Sequence, residues 1–82
     1  MQEYYVYIIK SKKDNSFYVG QTNDIERRLL EHNAGLSSYT SSKAPWNLHY
    51  LEEVNTREEA MKREMFLKKQ RNRNFYEKIK NI

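Results

Sequence analysis

The chain has 82 residues, of which 38% are hydrophobic and 13% aromatic, so its core must be thin and filled largely by rings. No cysteine and only two histidines exclude disulfides and a structural zinc centre of the usual kind. Fifteen Lys and Arg against 11 Asp and Glu leave a net charge of +4, which suits a polyanionic partner or simply a lysine-rich solvated surface. The length fits one domain over residues 1–82. No apolar run approaches the roughly 20 residues of a membrane span, and no signal-peptide core precedes the first predicted strand. A cytoplasmic location is the expectation.

Tyr5-Val6-Tyr7-Ile8 and Tyr18-Val19-Gly20 read as strands, because β-branched and aromatic residues suit a pleated, half-buried surface. The polar segment Ser11 to Ser16 contains Asp14-Asn15, a pair that accepts a tight turn. The two strands therefore form a hairpin. An even number of loop residues puts Tyr7 and Tyr18 on the same face, since side chains alternate. Gly20 reads as a point where a side chain would obstruct the hairpin or an approaching backbone.

Thr22-Asn23-Asp24 opens a helix, with Asn23 at the N-cap, Glu26 as the capping-box carboxylate and Asp24 complementing the dipole. Gly35 closes it as a C′ residue. Ile25 and Leu29 define its buried stripe, and Arg28 and His32 fall beside Ile25, one turn apart. A guanidinium and an imidazole thus face the sheet, while Arg27, Glu31 and Asn33 read as ordinary surface. Residues 36–45 form a loop rich in Ser and Thr, and Pro45 ends it. Tyr39 reads equally as a lid aromatic stacking on a base and as an anchor to the core. Trp46 to Val54 predicts a third strand with Leu48 and Tyr50 on one face; His49 on it reads as structural.

Thr56-Arg57-Glu58-Glu59 is a capping box, so a second helix starts near Arg57 with an apolar stripe of Ala60, Met61 and Leu67. Glu64 lies within that stripe. A carboxylate there costs several kcal/mol to desolvate unless an ion pair, hydrogen bonds or a metal compensates it. Asn74 with Glu77 caps a short last helix whose Phe75, Ile79 and Ile82 pack back on the core. The basic run from Lys68 to Arg73 reads either as a phosphate track or as a solvated helix end. The order β-β-α-β-α-α implies an α+β fold, a three-stranded antiparallel sheet flanked by helices.

Val6-Tyr7 and Tyr18-Val19-Gly20, followed by Arg28 and His32 on one helix and Glu64 on a later one, resemble the GIY-YIG nuclease family in its small stand-alone form. Tyr5 departs from the first glycine of the pattern. The resemblance implies a metal-dependent endonuclease acting on DNA, with RNA the alternative, possible substrates being structured or damaged DNA in repair or recombination. It implies a catalytic set of Tyr7, Tyr18, Arg28, His32 and Glu64. Glu64 would be the ligand of Mg²⁺ or Mn²⁺. Tyr39, Thr40, Lys43 and Asn74 are expected to touch nucleic acid, and the asparagine near the end of the family motif corresponds to Asn74 or Asn72. The competing expectation is a nucleic-acid-binding module on the same scaffold with little or no cleavage. Oligomeric state is open.

Overall fold

A computed structural model describes residues 3–81. Strand β1 (Tyr4–Ser11) lies between β2 (Phe17–Thr22) and β3 (Trp46–Val54) in an antiparallel sheet of order β2-β1-β3. Helix α1 (Ile25–Asn33) and a single turn, α2 (Ser38–Ser41), precede β3, and α3 (Arg57–Gln70) and α4 (Arg73–Lys78) follow it. The α+β order is the one read from the sequence, with α2 added inside the Ser/Thr-rich loop. Among the described residues, no helix is long and apolar enough to cross a membrane. Ile82, expected to pack on the core, lies outside the described residues.

The hairpin turn is built from its own polar side chains. Ser11 Oγ accepts the amides of Lys13 and Asp14, and Asp14 Oδ1 accepts from the Ser16 amide and hydroxyl. Asn15 takes a positive φ of 64°, a conformation that Asn tolerates better than most side chains. The resulting register pairs Tyr7 with Gly20 and Ile9 with Tyr18, so both phenols stand on one face.

That face carries Tyr7, Ile9 and Trp46, packed under Ile25 and Leu29 of α1. The opposite face carries Val6, Ile8 and Val19 against Ala60 and Leu67 of α3, Phe75 and Tyr76 of α4, and Ile79 just after α4. Each buried side chain of Leu or Ile size contributes about 1.5–3 kcal/mol of burial free energy, so helices on both faces make a small chain sufficient.

Four expectations are corrected. Leu48 and Tyr50 do not share a face: the β1–β3 register shifts between Ile8 and Ile9, pairing Ile8 with Tyr50 and Ile9 with Leu48. The bulge at His49 absorbs the extra residue, and His49 Nε2 donates to the Tyr76 carbonyl at 2.6 Å. Asp24, not Asn23, caps α1 by accepting the Arg27 amide. Asn72, not Asn74, caps α4, accepting from the amides of Asn74 and Phe75. Met61 is exposed, because α3 turns Ala60 and Leu67 inward and its flank outward. The Thr56–Glu59 capping box forms as expected.

Candidate active site

The site begins with Gly20. A Cβ there would lie 2.5 Å from the Tyr7 hydroxyl and 2.7 Å from its ring carbon, so the phenol passes directly over the Gly20 backbone. Glycine is needed for space, since the neighbouring strand carries a ring across it. The Tyr7 hydroxyl thereby reaches past β2 while the residue stays 1% exposed. Tyr18 stands beside it with ring centroids 6.5 Å apart.

Helix α1 delivers two groups to this phenol. His32 Nε2 is 2.8 Å from the Tyr7 hydroxyl, and His32 is fully buried. Arg28 stands beside the same hydroxyl and also pairs with Glu31 at 2.9 Å. Burial pushes the Tyr7 phenol up to about 12, against the Arg28 cation, with Tyr18 and Glu64 adding to the rise. Burial, helped by the Arg28 charge and opposed by Glu31, pushes His32 down to about 4. At neutral pH the pair is therefore a phenol and a neutral imidazole. Burial thus favours the neutral Tyr7 phenol, and with His32 Nε2 at its hydroxyl the geometry suits proton relay through a partner better than a free phenolate.

Glu64 comes from the other face. Its side chain is 18% exposed, turned toward the edge of β2, where Gln21 Nε2 donates to Oε1 at 2.8 Å and Lys68 Nζ lies 2.9 Å from Oε2. Its charge adds to the rise of the Tyr7 pKa, the smallest of the contributions to it. Glu64 also lines a concavity of about 280 Å³ with Gln21, Met65, Lys68 and Arg71. Lys68 and Arg71 continue into a second hollow of about 530 Å³, walled by Tyr18 and Tyr39. The edge of β2 thus carries one groove: a carboxylate at one end, cations in the middle and two rings at the other.

The remaining expected contacts divide. Tyr39 is 61% exposed, its ring 5.5 Å from Tyr18, and Lys43 lies 5.8 Å from its centroid. Tyr39 borders the groove, while Lys43 lines neither hollow and stands beside the Tyr39 ring, 3.8 Å from Asp14 Oδ2. Thr40 does not border it either: it is fully buried, and its Oγ1 lies 2.7 Å from His32 Nδ1. An expected contact to nucleic acid is thus corrected to an internal partner of the histidine. Asn74 is exposed on α4 and lines neither hollow, and the Asn72 side chain is occupied in capping. Gln21 has no part in the sequence reading, and Lys68, there the start of the basic run, supplies the ion pair that is one of the ways to compensate Glu64. The signals were present: Gln21 follows Gly20 on the alternate face, and Lys68 stands four residues after Glu64 on a helix. Asn33 also does more than cover surface, since its amide bridges the Trp46 backbone N–H and carbonyl.

Among the described residues there is no cluster of three or more His, Cys, Asp or Glu that could hold a metal. Glu64 alone suits an ion that takes one carboxylate and completes its shell with water and phosphate oxygens, as Mg²⁺ does. Lys68, on a flexible and 54% exposed side chain, is the group such an ion would displace.

Known proteins resemble this chain over most of its length. The GIY-YIG catalytic domain model matches residues 3–79. A UPF0213 protein of Staphylococcus saprophyticus is 44% identical over 69 residues, covering 83% of each chain. A UPF0213 protein of Bacillus licheniformis is 45% identical over 67 residues, 80% of this chain and 68% of that one. The solution NMR structure of a UPF0213 protein from Bacillus halodurans superposes with a TM-score of 0.56 at 35% identity, covering 89% of this chain and 78% of the other.

Proposed function

The chain belongs to the GIY-YIG catalytic domain family, a family of nucleases, and from that membership we propose a divalent-cation-dependent endonuclease that hydrolyses phosphodiester bonds of DNA. Structured or damaged DNA met in repair or recombination is the substrate class that this reading favours. One observation carries it: Glu64 is turned inward at the β2 edge, within electrostatic reach of the Tyr7 phenol that crosses Gly20.

Glu64 would hold Mg²⁺ or Mn²⁺, which when bound polarises the phosphate and stabilises the leaving 3′ oxygen. Arg28 meets the non-bridging oxygens, for which its planar fork is better suited than a lysine. Tyr7 orients the attacking water. As the water oxygen bonds to phosphorus, its proton passes to the Tyr7 oxygen and the Tyr7 proton passes to His32 Nε2. The P–O3′ bond breaks and the leaving oxygen takes a proton from solvent. The products are a 5′ phosphate and a 3′ hydroxyl. Relay through a phenol that is never free as phenolate accords with its raised pKa.

Labelled linear and branched DNA, incubated with the protein and Mg²⁺ or Mn²⁺, tests this. The unmodified protein is expected to cut, and Glu64→Ala and Arg28→Ala are expected not to. The second reading, a binding module, draws on Lys68, which already neutralises Glu64. Salt-sensitive binding with no cleavage by any of the three proteins would establish it.

A further inference from the structure

The turn α2 presents a single side chain to the interior. Trp46 Nε1 donates to the Thr40 carbonyl at 3.0 Å, fixing the turn, and Thr40 Oγ1 then sits 2.7 Å from His32 Nδ1. His32 Nε2 is 2.8 Å from the Tyr7 hydroxyl, so three buried groups form one chain across α2, α1 and β1. A neutral imidazole carries one N–H, and each hydroxyl carries one O–H. One assignment gives every donor of this chain an acceptor that the structure shows. Thr40 O–H donates to the Ser37 carbonyl at 3.4 Å, His32 Nδ1–H donates to Thr40 Oγ1, and Tyr7 O–H donates to His32 Nε2. In the reverse assignment Thr40 O–H donates to His32 Nδ1 and Nε2–H points at the Tyr7 oxygen, so the Tyr7 proton is left without an acceptor among the described residues.

We propose that Thr40 is a positioning residue that fixes His32 as the Nδ1–H tautomer, leaving Nε2 open to receive the Tyr7 proton. The catalytic part rests on the nuclease reading above; the tautomer stands apart from it. The groups facing His32 are Tyr7 and Tyr18 from the sheet, Arg28 and Glu31 from α1, and Thr40 from α2. Among the described residues, Thr40 alone meets Nδ1. The same hydroxyl would stabilise the imidazolium formed when the proton arrives, by accepting the Nδ1–H bond in both states.

The direct test is ¹H–¹⁵N NMR of the imidazole nitrogens in histidine-labelled protein at pH 7, with the second of the two histidines assigned through His49→Gln. The unmodified protein and Thr40→Ser are expected to show His32 protonated at Nδ1 and bare at Nε2. Thr40→Val, which keeps the shape and loses the acceptor, is expected to move the proton to Nε2 and to lower kcat for DNA cleavage by about 10²-fold, the scale of a lost general base. Thr40→Ser is expected to recover most of that rate. Nε2–H in the unmodified protein would overturn the tautomer. Thr40→Val cutting at full rate would overturn the catalytic role. If the unmodified protein cuts nothing, the nuclease reading fails, yet the NMR of the unmodified protein and Thr40→Ser still decides the tautomer.

Discussion

Tyr7 and Gly20 act as a pair, and each explains the other. The phenol can cross the strand only because nothing projects from residue 20. Gly20→Ala should force the ring aside and cost about 1–3 kcal/mol, the usual penalty of overpacking. Urea denaturation measures that loss, and a cleavage assay should show activity falling with it, since the displaced hydroxyl no longer meets His32. The burial of His32 has a separate consequence in acid. Its pKa falls to about 4 in the folded chain from 6.5 when unfolded, so between these values the unfolded state binds more protons. Stability should therefore rise with pH from about 4 to 6.5 and flatten above, by at most about 3 kcal/mol from this residue. Urea midpoints across that range check it, and His32→Gln should remove most of the slope. The lowered carboxyls of Asp14 and Glu77 act at more acid pH, where their hydrogen bonds and ion pairs are lost on protonation.

Helix α3 positions the carboxylate, and its start was legible because a capping box is a local code: Thr56 and Glu59 satisfy each other's orphan amides wherever they occur. Thr56→Ala should cost about 1 kcal/mol of stability by thermal or chemical denaturation. The hairpin was legible for the same reason, since alternation and an even loop fix which side Tyr7 and Tyr18 occupy. Features that depend on a distant partner were not. The bulge at His49 exists because the Tyr76 carbonyl on α4 receives its ring, and nothing near His49 in sequence announces that. Thr40 looked like a loop residue because its partner, His32, lies across a turn that the Trp46 indole holds in place. The choice of Asp24 over Asn23, and of Asn72 over Asn74, turned on one or two residues of helix phase that spacing cannot resolve.

Across the whole molecule, both faces of a small sheet are covered and its β2 edge carries the groove. Lys68 and Arg71 link the Glu64 end to the Tyr18 and Tyr39 end, so charge and rings lie along one path. Lys69 lines the Glu64 hollow with Arg71, and Lys69→Ala and Arg71→Gln should each weaken DNA binding and reduce the dependence of log K on log salt by about 1, read by fluorescence anisotropy over a salt series. Binding and chemistry are separable on this scale, because Lys69 and Arg71 line the groove beside Glu64 while Lys68 is the cation paired with it. The most direct measurement compares binding and cleavage of one labelled DNA by the unmodified protein and by Glu64→Gln, each with Mg²⁺. The account predicts that both proteins bind within a few-fold of each other and that only the unmodified one cuts, with Glu64→Gln slower by at least about 10²-fold. Equal cutting by both, or binding without cutting by both, would contradict it.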